Sequence, residues 1–122
     1  MKVIARYDQY AHPPLLTLYI HGCPHKRQVR EVLQQGREHI YAAAVRGIGS
    51  EVDMPIDHAI DLKVLFTNPN SPDLDHLIEA VFMMLDKKTL KGPAVLADDR
   101  HIQSVHMSKL YPNEATKRDG QR

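Results

Sequence analysis

Apolar and polar residues alternate without a break from Ile56 to Thr67. Ile56, His58, Ile60, Leu62, Val64 and Phe66 fall on one side; Asp57, Ala59, Asp61, Lys63, Leu65 and Thr67 fall on the other. A period of two marks a strand with one buried face. Leu15 to His21 repeats the pattern, with Leu16, Leu18 and Ile20 on one face. The period then changes. Leu74, Leu77, Ile78, Val81, Phe82 and Leu85 recur at helical spacing and predict an amphipathic helix. Val29, Leu33, Gly36, Ile40 and Ala43 predict another from about Gln28 to Arg46, stopped by Gly47 and Gly49. Ile102 to Leu110 reads as a last strand, with Val105, Met107 and Lys109 on one side. Met1 to Arg6 can add a short strand, ended by Pro13-Pro14. Asn68 to Pro72 is a turn and Lys87 to Pro93 a loop. The expected order is β-α-β-α-β, with room for an extra strand at the start. It predicts an α+β domain, a mixed sheet with two main helices packed on it, over residues 1–111. Residues 112–122 form a polar tail expected to be disordered.

Composition narrows the class. A chain of 122 residues makes one domain with a modest core. No apolar run reaches bilayer length, and the N-terminus lacks the apolar stretch of a signal peptide. The single cysteine, Cys23, excludes an internal disulfide framework and fits a reducing, cytoplasmic setting. Net charge is only +1, so the distribution matters more. Basic residues gather at Lys26, Arg27, Arg30 and Arg37, at Lys87, Lys88 and Lys91, and in the tail. Acidic residues gather from Asp73 to Glu79 and at Asp98-Asp99. Separate patches suit a protein that holds phosphates with one surface and metal with another; a mixed solvated surface gives similar counts.

Candidate chemistry centres on the acids. Asp73 and Asp75 open the second helix, and Asp98-Asp99 precede the last strand. A carboxylate cluster repels itself unless a cation fills it, and the usual filler is a hard divalent ion such as Mg2+. Two helical residues two apart point roughly 200° away from each other, so this pair converges only if Asp73 is still extended at the helix start. Glu79 lies one turn beyond Asp75 on the same face. Asp86 lies two turns further, roughly 10 Å on, too far to share a metal with Glu79. The competing explanation is structural: Asp caps helices, acids favour the first turn, and Asp-Asp is common in turns. Arg27, Arg30 and Arg37 can hold phosphates or form a solvated helix face. His21, Cys23 and His25 converge poorly as zinc ligands with Pro24 between them. His58 reads as a core or interface residue, Met83 and Met84 as core or dimer contacts, and no Walker or dinucleotide glycine pattern is present.

In this order the features resemble the RusA-like Holliday junction resolvases. That family carries Asp-x-Asp-Asn opening a helix, a Lys one turn on, an Asp-Asp before the final strand, and often a later Lys. This chain has Asp73-Leu74-Asp75-His76 and Glu79, then Asp98-Asp99-Arg100, then Lys109. Gly22-Cys23-Pro24-His25-Lys26-Arg27 resembles the family's Gly-x-Pro-x-x-x-Arg pattern, and the likeness covers about residues 15 to 110. The resemblance implies a metal-dependent endodeoxyribonuclease that resolves four-way junctions in recombination and repair. It implies metal-binding, catalytic carboxylates at Asp73, Asp75 and Asp99, with Asp98 as their neighbour; Glu79, at the position of the family's Lys, either adds a metal ligand, with Arg100 or Lys109 supplying the positive charge, or weakens activity. Mg2+ is the expected cofactor, with Mn2+ able to substitute. Lys26, Arg27, Arg30, Arg37, Arg100 and Lys109 are the expected DNA contacts. Two paired nicks in a two-fold symmetric substrate call for a homodimer. The expected setting is the cytoplasm of a bacterium or a phage-infected host. Two departures stand out: His76 replaces the family's Asn, and Glu79 its catalytic Lys. The alternative expectation is a weakened or inactive DNA-binding relative.

Overall fold

The computed structural model describes residues 1–50 and 52–110, so the tail expected over 112–122 lies outside the described residues. The order is β1 (Lys2–Asp8), β2 (Leu15–His21), α1 (Arg30–Ile48), β3 (Ile60–Thr67), α2 (Leu74–Leu85), a one-turn 3-10 helix (Asp99–His101) and β4 (Ile102–Leu110). The expected β-α-β-α-β thus gains a full first strand. β1 pairs antiparallel with β2, while β2–β3 and β3–β4 are parallel, giving a mixed sheet in the order β1-β2-β3-β4.

The period-two residues explain the layers. Leu16, Leu18 and Ile20 of β2 and Ile60, Leu62, Val64 and Phe66 of β3 are all buried, and both helices lie against that face. α2 adds Leu77, Ile78, Val81 and Leu85, the stripe that predicted it. Met84 is also fully buried, and Met83 packs partly against the core.

Two boundaries differ from expectation. The strand expected from Ile56 begins at Ile60, because Ile56 forms an isolated bridge with Leu96 instead. His58 therefore precedes the strand, half-buried, with its ring nitrogen on the Ala59 carbonyl. Helix α1 runs through Gly47 and ends at Gly49, whose φ is 61°. Gly47 is inside because α1 presses on β1 there, and a Cβ would overlap the Ala5 carbonyl.

The segment from Ala94 to Ala97 ties the end of α2 to the chain entering β3. Leu96 N–H donates to Leu85 O, Lys87 N–H to Leu96 O, and Ala97 N–H to Ile56 O. It thereby holds Asp98 and Asp99 against the end of α2. Among the described residues, no helix is long and apolar enough to cross a membrane.

Candidate metal centre

Helix α2 has an acidic group at each end. At its C-terminal end stand Asp86, Asp98 and Asp99, each offering a carboxylate oxygen within 4.8 Å of the others. Asp86 is the C-cap, in extended conformation and 5% exposed. Its Oδ1 accepts from Lys88 N–H at 2.8 Å and its Oδ2 from Asp99 N–H at 3.1 Å. Asp98 caps the 3-10 turn by accepting from Arg100 N–H at 2.9 Å. Its Oδ2 lies 2.8 Å from Lys88 Nζ and 2.9 Å from Arg100 Nη2.

These contacts set the charges. The hydrogen bond from Lys88, then those from Arg100, hold the Asp98 carboxyl well below the usual carboxylate range. Asp99 is largely exposed and is shifted the other way, chiefly by the partial desolvation of its carboxyl and then by the neighbouring Asp86 charge. Asp98 thus has its cations, while Asp99 faces other carboxylates and, among the described residues, has no ion pair at contact distance, only the more distant Lys88 and Arg100 charges. Three carboxylates so placed can chelate a divalent cation.

At the N-terminal end of α2 stand Asp73, Asp75, His76 and Glu79. Asp73 is extended, as convergence with Asp75 requires, yet its carboxylate makes no capping hydrogen bond. Its Oδ2 lies 3.6 Å from His76 Nδ1. Asp75 is exposed, and its carboxylate makes no hydrogen bond or ion pair among the described residues. Glu79, where a Lys was expected, holds one instead: Lys26 Nζ sits 2.6 Å from its carboxylate and keeps it ionised to lower pH than usual. The loop after β2 delivers Lys26 because its N–H donates to His76 O at 3.1 Å. Lys109, near the end of β4, donates to the Pro72 carbonyl at the same end of the helix.

Eleven residues of α-helix separate Asp75 from Asp86 by about 16 Å. Asp99 is bonded to Asp86, so within one chain Asp73 and Asp75 do not meet Asp99. Of the expected ligands, the structure joins Asp98 and Asp99 and leaves Asp73, Asp75 and Glu79 at the far end. Asp86, set aside on the sequence, takes the third place. One signal could have found it: an acid closes α2 with no base in the last turn, against the helix dipole.

The expected DNA contacts also divide. Arg27 and Arg100 are exposed, and Arg30 reaches the Thr89 carbonyl at 2.7 Å. Arg37 is a correction: it is 1% exposed and donates to the Gly92 and Pro93 carbonyls, each at 3.1 Å, so it holds the Lys87 to Pro93 loop rather than a phosphate. His21, Cys23 and His25 form no metal-type group among the described residues. His21 meets Thr67 Oγ1 at 2.9 Å, and burial pushes the Cys23 thiol up to about 12. Comparison of the chain with family models, with curated proteins and with solved structures gave no match.

Proposed function

We propose that the chain is a divalent-cation-dependent endodeoxyribonuclease of the RusA type, acting on branched DNA as a homodimer. The observation that carries this reading is the convergence of Asp86, Asp98 and Asp99 oxygens within 4.8 Å. The motif order Asp73-x-Asp75, Asp98-Asp99, Lys109 supports it.

A bound Mg2+ would polarise the scissile phosphate and make an attacking hydroxide accessible at neutral pH. The residues around it have their own tasks. Asp99, the carboxylate of the three crowded by its neighbours without a contact ion pair, supplies the charge that draws the cation in. Lys88 and Arg100, now on Asp98, turn to phosphate oxygens when a DNA strand arrives. Lys26, oriented by Glu79, offers a point charge at the other end of α2.

Asp75 and Asp99 cannot serve one metal within a chain. A two-fold dimer can set the Asp73/Asp75 end of one protomer against the Asp98/Asp99 end of its partner. This predicts complementation in trans. Asp75→Asn and Asp99→Asn dimers should each fail to nick a labelled four-way junction in Mg2+. Mixed and allowed to exchange subunits, they should regain about a quarter of wild-type nicking, since half the dimers are mixed and each has one intact site. Intrachain sites would regain none. If wild-type protein leaves junctions uncut in both Mg2+ and Mn2+, the nuclease reading is lost.

One observation favours a second reading, a DNA-binding relative without catalysis. Lys88 and Arg100 already occupy Asp98, and Lys26 occupies Glu79. Such a protein would bind junctions in a salt-dependent way and never cut them.

A further inference from the structure

Among the described residues, only one face of the sheet is covered. The helices lie on the Leu16, Leu18 and Ile20 side, and the alternate residues face away from them. Strand register arranges that open face in rows. Ile4, Tyr19 and Leu65 lie side by side as an apolar row. Ile4 is 59% exposed and Tyr19 40%. Next to this row, two residues along each strand, lie Arg6, Lys63 and His106. Beyond its other edge lie Lys2 and His21. A groove of about 360 Å³ runs over Ile4, Tyr19 and Leu65 on the Lys2 and His21 side, where Thr67 and Leu110 also line it. The face's carboxylates, Asp8 and Asp61, stand together at the far end, and Asp61 is engaged by Ser104 Oγ at 2.7 Å.

Charge complementarity decides what fits. A second copy of this face has two ways to lie on it. With strands aligned, cationic row meets cationic row. With strands reversed and apolar row on apolar row, Arg6 and Lys63 face Lys2 and His21 of the other copy, again with no carboxylate opposite. Desolvating unpaired cations costs several kcal/mol each in effective terms. A register that matches them with Asp8 and Asp61 leaves the apolar row uncovered. The occupant must therefore bring its own anions and a flat apolar surface, spaced about 7 Å apart like the rows. An unpaired nucleic-acid strand does so: phosphates on the cations, bases on the apolar row. A duplex does not, because the four strands span about 14 Å between outer strands and the major groove is only about 12 Å wide.

We propose that the open sheet face binds an unpaired nucleic-acid strand, with bases stacked on Tyr19 between Ile4 and Leu65, and phosphates held by Arg6, Lys63 and Lys2. It rests on the nuclease reading only for the source of that strand, the opened bases at a junction's branch point.

The test is fluorescence polarisation of the full chain with fluorescein-labelled dT20 in EDTA, where metal-dependent cutting cannot contribute. Tyr19→Ala should weaken binding about 5- to 100-fold, and Tyr19→Phe should hold it within about twofold. Arg6→Gln with Lys63→Gln should weaken it and flatten the salt dependence by about 1.4 in log–log slope, some 0.7 per phosphate contact. Arg46→Gln, on the exposed surface of α1, should change nothing. Circular dichroism confirms that each variant is folded; the substituted residues on the open face are not fully buried, so the fold should hold. Unchanged dT20 affinity in the Tyr19→Ala and double variants overturns the proposal, whatever the junction assay gives. So does duplex binding as tight as dT20 binding, or a change confined to self-association. Lost junction nicking with intact, Tyr19-dependent dT20 binding counts only against the nuclease reading.

Discussion

Asp99→Asn should raise the stability of the metal-free protein and lower its affinity for metal. The substitution keeps the backbone N–H that bonds Asp86 Oδ2 at 3.1 Å, so the local fold is preserved. It removes one carboxylate charge from a group whose oxygens lie within 4.8 Å. At that separation two unit charges in water repel by about 0.9 kcal/mol, and by more where burial lowers the dielectric. Asp99 is exposed, so the lower figure applies, and the variant should gain about 1 kcal/mol, or about 4 °C in Tm. The sign has a pH signature. Asp99's folded pKa is raised above the ordinary 3.8, so its penalty is absent below that value and grows as pH rises through the folded one. The advantage of the variant should therefore vanish at acid pH and be full at neutral pH. Mn2+ should reverse the order. Loss of one of three carboxylates should weaken Mn2+ binding at least about tenfold. Wild type, at about a hundred times its dissociation constant, gains about 2.7 kcal/mol from the ion. Urea melts in EDTA and in Mn2+, with Mn2+ titrated by paramagnetic resonance, measure both sides. If the variant is less stable without metal and binds Mn2+ as wild type does, the three carboxylates are a structural knot and not a metal centre.

Other positions give independent checks. Arg37→Met removes the donors to Gly92 and Pro93 and the buried cation whose field Asp86 shares; it should cost about 3 kcal/mol in urea melts, and a gain would mean the guanidinium is a net burden. Gly47→Ala improves helix propensity by about 1 kcal/mol, yet its Cβ would overlap the Ala5 backbone. Overpacking should win, with a net loss of about 1–2 kcal/mol in thermal melts and faster amide exchange in β1. Cys23, with its thiol pushed from 9.0 to about 12, should resist iodoacetamide at pH 8 until the chain unfolds. Its protonated form contributes stability below pH 9, lost as pH rises towards 12, so alkaline melts should steepen there.

The elements were legible wherever one period ran between clear stops. The stripe from Leu74 to Leu85 matches α2 residue for residue, because Pro72 and Asp73 open it and the apolar spacing ends with it. β4 also runs over the expected Ile102 to Leu110. Ile56 misled because its partner, Leu96, is forty residues away and fits the same alternation. Arg37 misled because a long side chain on a polar-looking helix face can still be drawn under a loop, here by two carbonyls. The site expected at Asp73, Asp75 and Asp99 does not assemble within one chain, for a topological reason. β3 and β4 are parallel, so the chain leaving β3 and the chain entering β4 must lie at opposite ends of the sheet. Asp73 and Asp75 follow β3; Asp98 and Asp99 precede β4. Parallel pairing and a metal shared by Asp75 and Asp99 of one chain are mutually exclusive. Spacing along the sequence showed which acids were available, and strand direction decided which could meet. With α2 lying between the two groups, a site that uses both requires a second chain.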